Sequence, residues 1–285
     1  MCKHFLASLS PPVWQSADMA KAPAVKWTRE HFLIALNLYC KLPFGKLDRK
    51  NPLIVDVATK MGRSPGSLAM KLVNFASLDP VQQARGIRGL SGATKQDKAM
   101  WNEFHAHLSD LGTESEQLLH DLFAKDDAEE VDFLARNKVR LVTPSGPTET
   151  RATTRVRRGQ QFFRQSVLTA YEVRCCISGI NVPALLVASH IKPWRACRDD
   201  ERLSPRNGLC LSSIHDAAFD AGLITSDERL AVVLGRRLRS FFPQPALEQS
   251  FVPFEGKIIR LPNKLAEPDP AFLNYHRDLF DKANR

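Results

Sequence analysis

Three residues in the second half of the chain have the types and order that acid–base and metal chemistry need: His190, Asn207 and His215. An imidazole titrates near neutrality, so it can take a proton from water at physiological pH. A second imidazole can hold a divalent cation, which offsets charge on a reacting phosphate and on its leaving oxygen. Base plus cation is what hydrolysis of a phosphodiester requires. An asparagine between them can orient the first ring by accepting its other N–H, or brace the loop around it. Singly, each residue reads blandly: a histidine after an apolar strand is ordinarily a satisfied core residue, and Asn207-Gly208 is ordinarily a turn.

Their order within one frame of elements is more specific. GQQFFRQSVLTAY reads as a helix through Tyr171, followed by a short strand near Cys176 that turns at Ser178-Gly179. PALLVASHIKPW reads as a second strand ending at Ser189-His190, halted by Pro193. A polar loop, RACRDDERLSPRNG, leads through the apolar run LCLSS into a helix around His215. A strand end beside the following helix lets His190 and His215 face one point.

The segments YEVRCCISG, ASHIKPW, RLSPRNGLCLS and HDAAFDAGLIT resemble the HNH nuclease family over residues 159–230, and are most similar to its predicted bacterial restriction endonucleases. The resemblance implies a ββα-metal fold with His190 as the general base and Asn207 as the residue holding the loop. It implies His215 as ligand of one divalent ion per site, Mg²⁺ by preference, with Mn²⁺, Ni²⁺ or Zn²⁺ compatible with an imidazole ligand. Many members carry Asp or His immediately before the first histidine as a second ligand; this chain has Ser189. The nearest carboxylates are Asp216 and Asp220, about 100° and about 140° from His215 around a regular helix. Asp220 is the further candidate ligand. Lys192 and Arg206 flank the site and are candidates to contact DNA phosphates, as is the nearby Arg174. Trp194 reads as a packing residue of the loop.

The N-terminal part, KWTREHFLIALNLYCKLPFG through MKLVNFASLD, resembles the region that accompanies this nuclease. Thr28 can cap a first helix that ends before Pro43. Pro52 to Met61 reads as a helix, Gly62 to Ser64 as a turn, and Pro65 to Phe75 as a helix capped by Ser64. That pair is helix-turn-helix-like, with Arg63, Ser67 and Lys71 directed outward toward DNA and Leu68, Leu72 and Phe75 inward. Further helices are expected over 96–134. Residues 143–158, rich in Pro, Gly, Thr and Arg, read as a basic linker whose Arg157 and Arg158 can follow a phosphate backbone.

The expected fold class is α+β: a disordered extension over 1–25 (Met19 offering a second start), a helical DNA-recognition domain over 26–142, the linker, and the nuclease domain over 159–285. The tail is expected to hold a strand at AVVLG, a basic edge at Arg236, Arg237 and Arg239, and a closing helix in which His276 is structural.

The 285 residues carry 40 Lys+Arg against 31 Asp+Glu, a net charge of +9 that favours an anionic partner such as nucleic acid. With 44% hydrophobic and 25% charged residues the chain is neither disordered nor fibrous. No apolar run approaches the roughly 20 residues that cross a bilayer, so no membrane association and a cytoplasmic location are expected. Six cysteines without a CxxC pair suggest reduced thiols. These readings together point to a metal-dependent endonuclease that restricts foreign double-stranded DNA as a homodimer. Three alternatives stay open: a triggered antiviral nuclease effector, a DNA-binding regulator on a degenerate site, and a helical protein-interaction module with incidental histidines.

Overall fold

The computed structural model describes residues 26–86, 92–124, 151–262 and 267–285, with the backbone alone at 151–155 and 157. The expected extension over 1–25, residues 125–150 and the side chain of Arg157 lie outside the described residues. The N-terminal part is helical: α1 (Arg29–Lys41), α2 (Pro52–Lys60), α3 (Pro65–Leu78), α4 (Pro80–Ala84), α5 (Lys95–Ala106) and α6 (Leu108–Ala124). Local chemistry sets the boundaries. Thr28 Oγ1 accepts from the His31 N–H to start α1, and Asn51 and Ser64 do the same for α2 and α3, each followed by a proline at the first helical position. Helix α2 stops at Gly62, whose φ of 65° lets the Arg63 N–H reach back to the Ala58 carbonyl at 2.8 Å.

A long helix, α7 (Arg151–Ala170), joins this layer to the rest. Phe162, Phe163, Val167 and Leu168 are buried on it, and one hydrophobic core runs from Phe32 in α1 through α7 to Leu273 near the C-terminus. Buried polar groups reinforce the joint. Lys41 pairs with Glu116 inside the helical layer, Asn37 donates to Glu116 and Ser115, and the Thr169 hydroxyl donates to the Lys41 carbonyl at 2.9 Å.

Beyond α7 lies an antiparallel pair, β1 (Leu186–His190) and β2 (Gly208–Ser212), with His190 opposite Gly208. The long connection between them includes α8 (Asp199–Arg202), and β2 passes directly into α9 (Ser213–Asp220). A second pair, β3 (Ile224–Ser226) with β4 (Val232–Leu234), is followed by α10 (Arg236–Arg239), α11 (Pro245–Phe251) and α12 (Pro270–Ala283). His276 on α12 is buried, its Nε2–H donating to the Phe219 carbonyl at 3.0 Å and its Nδ1 meeting the Thr225 hydroxyl at 2.9 Å. Among the described residues Cys40, Cys175, Cys176, Cys197 and Cys210 are free thiols, and no helix is long and apolar enough to cross a membrane.

Three expectations need correction. Residues 151–158, expected within a linker, form the first turns of α7; an Arg- and Thr-rich run carries no apolar periodicity by which a helix is read. The strand expected near Cys176 is a turn, its Cys176 N–H donating to the Cys210 carbonyl of β2 at 2.7 Å. Lys71, expected to face DNA, is 7% exposed. Its ammonium pairs with Asp97 and lies 4.6 Å from the ring centres of Trp27 and Phe32, where cation–π attraction and the carboxylate replace water.

Candidate active site

The loop between β1 and β2 is organised by Asn207, which is completely buried. Its Oδ1 accepts from the Lys192 N–H at 2.8 Å. Its Nδ2 donates to the Lys192 carbonyl and to Cys197 Sγ, both at 3.2 Å. The Ile191 N–H in turn donates to the Asn207 carbonyl at 3.0 Å. One amide thus clamps the chain just after His190 to the chain just before β2. Lys192 adds an ion pair to Glu201 at 2.6 Å across the same loop.

His190 is held from three directions. Its Nε2–H donates to the Arg202 carbonyl at 2.9 Å, so Nδ1 carries the lone pair. Phe163 of α7 stacks on the ring at 3.9 Å with a 12° tilt, and Trp194 meets it edge-on at 5.5 Å. Burial lowers the imidazole pKa, with the Arg202 carbonyl opposing, so the ring is neutral and able to accept a proton near pH 7. Helix α7 also fixes the start of β1, as Arg164 donates to the Leu186 carbonyl at 2.8 Å.

His215, expected as a metal ligand, is differently placed. It is 2% exposed, its Nε2–H donates to the Ser250 carbonyl at 3.0 Å, and its Nδ1 accepts from the Ser212 hydroxyl at 2.6 Å. Phe251 and Phe254 meet its ring edge-on, and Cys175 Sγ lies 3.9 Å from Nδ1. Both nitrogens are spent on protein partners, so the ring offers no lone pair to an ion here. It ties β2, α9 and α11 together.

The next residue on α9 faces a different way. Asp216 is half-buried beside Ser189, and Asp220 one turn later is exposed. Burial raises the pKa of Asp216, with Ser189 opposing; burial and then the charge of Asp216 raise that of Asp220. Asp216 thus raises the proton affinity of Asp220 one turn away, and a cation between two such carboxylates would offset that repulsion. Ser189 is 3% exposed, and its Oγ makes no regular hydrogen bond among the described residues. A divalent ion would satisfy all three: the donors are hard oxygens, as Mg²⁺ prefers. No group of three or more His, Cys, Asp or Glu side chains gathers as a metal site among the described residues, so the fit rests on this pair and the orphaned hydroxyl.

The other expected residues are dispersed. Arg63 lies over the Trp27 ring at 4.0 Å, Ser67 sits in the first turn of α3, and Arg158 donates to Gln161 on the same helix. Arg206, beside Asn207, pairs with Asp269 at 3.2 Å. Phe163 and the Arg202 carbonyl were not foreseen. The Phe162-Phe163 pair on a helical face was the only trace of the former, and a carbonyl contact leaves no trace in side-chain types. No curated protein matches the chain. Residues 175–225, which span β1, the Asn207 loop and α9, match the family model described as HNH endonuclease.

Proposed function

We propose that the chain is a divalent-metal-dependent endonuclease that cuts double-stranded DNA, with restriction of foreign DNA in the cytoplasm as its role and a homodimer as the form that cuts both strands. The observation that carries the reading is the state of His190: a neutral imidazole, oriented by the Arg202 carbonyl and the Phe163 ring, at the end of a strand whose preceding residue, Ser189, lies beside Asp216 of α9. His190 Nδ1 takes a proton from water, and the carbonyl on Nε2–H stabilises the imidazolium that results. Asn207 keeps the loop, and therefore that carbonyl, in register. Asp216, Asp220 and Ser189 would hold the ion, which when bound supplies positive charge to the phosphate and the leaving oxygen. Arg63, Ser67, Arg157, Arg158, Lys192 and Arg206 stay as phosphate-contact candidates; Lys71 is withdrawn.

The test is nicking of supercoiled plasmid, methylated and unmethylated, across a Mg²⁺ and Mn²⁺ titration. Wild type should nick, and His190→Ala should not. Asp216→Asn should lose activity or shift the metal half-saturation at least about tenfold. His215→Gln should unfold more easily while its metal half-saturation stays put. A normal metal titration in Asp216→Asn, with a shifted one in a folded His215→Gln, would return the ligand role to His215. Wild type that binds DNA without nicking it under any metal would favour the regulator.

A further inference from the structure

The loop between β1 and β2 contains a thiol that neither the base nor the oxygen donors of α9 account for. Cys197 is 6% exposed and follows the turn Trp194–Ala196, whose Trp194 meets His190 edge-on. Its Sγ accepts from Asn207 Nδ2 at 3.2 Å, and it shares its own proton between the Lys192 carbonyl at 3.2 Å and the Pro193 carbonyl at 3.4 Å. Burial raises the pKa of Cys197, with the Asn207 amide opposing, so the sulfur keeps that proton at neutral pH and is donor and acceptor at once.

The amide it meets has three acceptors around it. Asn207 Nδ2 carries two protons, and the Lys192 carbonyl and the Cys197 sulfur, each at 3.2 Å, take one apiece. The Glu201 carbonyl lies farther off, at 3.5 Å. Asn207 is completely buried, so without the sulfur one proton would lack a good acceptor, and the amide would close on Glu201 to avoid that cost. Such a movement reaches the base. Glu201 and Arg202 are successive residues of α8, and it is the Arg202 carbonyl that accepts from His190 Nε2–H at 2.9 Å. The Glu201 carboxylate is anchored on its other side, accepting from Lys192 Nζ at 2.6 Å and from the Arg198 N–H at 2.8 Å. With its side chain held, Glu201 answers a pull on its carbonyl by rotating its peptide, which displaces the Arg202 carbonyl one peptide on.

We propose that Cys197 is a positioning residue of this site: its neutral thiol takes the second proton of the Asn207 amide, and so keeps the Arg202 carbonyl on His190. The consequence for nicking rests on the nuclease reading; the consequence for the His190 ring does not.

The first readout is heteronuclear NMR of the histidine ring nitrogens in the full chain, without DNA or metal, for wild type, Cys197→Ala and Cys197→Ser. Wild type should show the Nε2–H tautomer of His190. Alanine offers the amide no acceptor and should give a mixture of tautomers. Serine restores a group that both donates and accepts, and should keep the wild-type tautomer. Plasmid nicking is the second readout. Cys197→Ala should cut about tenfold more slowly or worse, with metal half-saturation and DNA affinity unchanged, and Cys197→Ser should recover most of that loss. A wild-type tautomer in Cys197→Ala overturns the proposal, as does a mixture in wild type. Equal losses in the alanine and serine variants that follow their Tm would overturn it too, leaving Cys197 a packing residue. Wild type that never nicks, with His190 released in Cys197→Ala and held in Cys197→Ser, would sink the nuclease reading and leave the positioning role standing.

Discussion

Alanine at position 208 should uncouple the catalytic loop from α7, and the size of the effect follows from the geometry. A Cβ on Gly208 would lie 2.4 Å from Val167 Cγ2, 3.0 Å from Phe163 Cζ and 3.2 Å from the Pro205 carbonyl oxygen. Gly208 cannot retreat, because its residue pairs with His190 across the β1–β2 ladder and its N–H donates to that same Pro205 carbonyl. Phe163 cannot yield without sliding off the imidazole it stacks on. Val167 must therefore move, and overpacking of this kind costs about 1–3 kcal/mol. Urea denaturation reads that cost, and nicking by the folded fraction reads the displacement of His190, expected at about ten- to a hundredfold in rate. Val167→Ala removes the offending methyl and is itself destabilising, but the pair should be non-additive: in the double variant about 1 kcal/mol or more of the summed cost is recovered. Additive costs, or a Gly208→Ala variant within about 0.5 kcal/mol of wild type, would refute the claim that β2 is wedged against α7.

Other consequences are directly measurable. Phe163→Leu keeps apolar volume on α7 but loses the stack, worth about 0.5–1.5 kcal/mol; nicking should fall by more than the change in stability explains, and a proportionate fall would make Phe163 a packing residue only. Burial lowers the pKa of His276 to about 4 from an unfolded value of 6.5. Between those values the unfolded chain binds more protons, so stability is complete above pH 6.5 and declines as pH falls toward 4, by about 3 kcal/mol in all; His276→Gln should flatten that slope in urea titrations run across the interval. Lys71→Ala strands Asp97 without its ammonium and should cost about 3–5 kcal/mol, while the salt dependence of DNA binding by the folded protein stays as in wild type; a shallower salt slope would put Lys71 back on the DNA face.

How far the sequence could be read depended on whether the signal was local. The caps at Thr28 and Ser64, the Gly62 stop and the proline starts are decided within a turn of chain, and they placed α1, α2 and α3. Strand β1 ends at His190, as read from the apolar run that closes three residues before Pro193, and the Asn207 loop reads directly from its polar composition. Lys71 went astray because nothing within a few residues announces Asp97, which arrives from another helix and makes burial of an ammonium tolerable. The first turns of α7 went astray for a related reason: an Arg- and Thr-rich run has no apolar periodicity of its own, and it reads as linker until the helix read from Phe162 onward is extended back through it.

The proposed metal site shows the same limit at the scale of one residue. His215 and Asp216 are neighbours on α9, about 100° apart around the helix, so only one of them can turn toward Ser189. Residue type favours the histidine, since imidazole is the commoner ligand and isolated carboxylates are common on helix surfaces. Position favours the aspartate. His215 falls on the side of α9 that packs under Phe251 and Phe254, where Ser212 and the Ser250 carbonyl consume both of its nitrogens. Asp216 falls on the side that faces β1, one turn before Asp220. Which side packs is set by α11, some thirty residues farther along, and no spacing within the ββα segment encodes it. In the proposed metal-dependent reading, Ser189 would stand not as a lost ligand but as a third oxygen beside Asp216 and Asp220. Burial raises the proton affinity of both carboxylates and Ser189 opposes it at Asp216, so a cation drawn to that side of α9 would have to displace protons that the histidine side never holds.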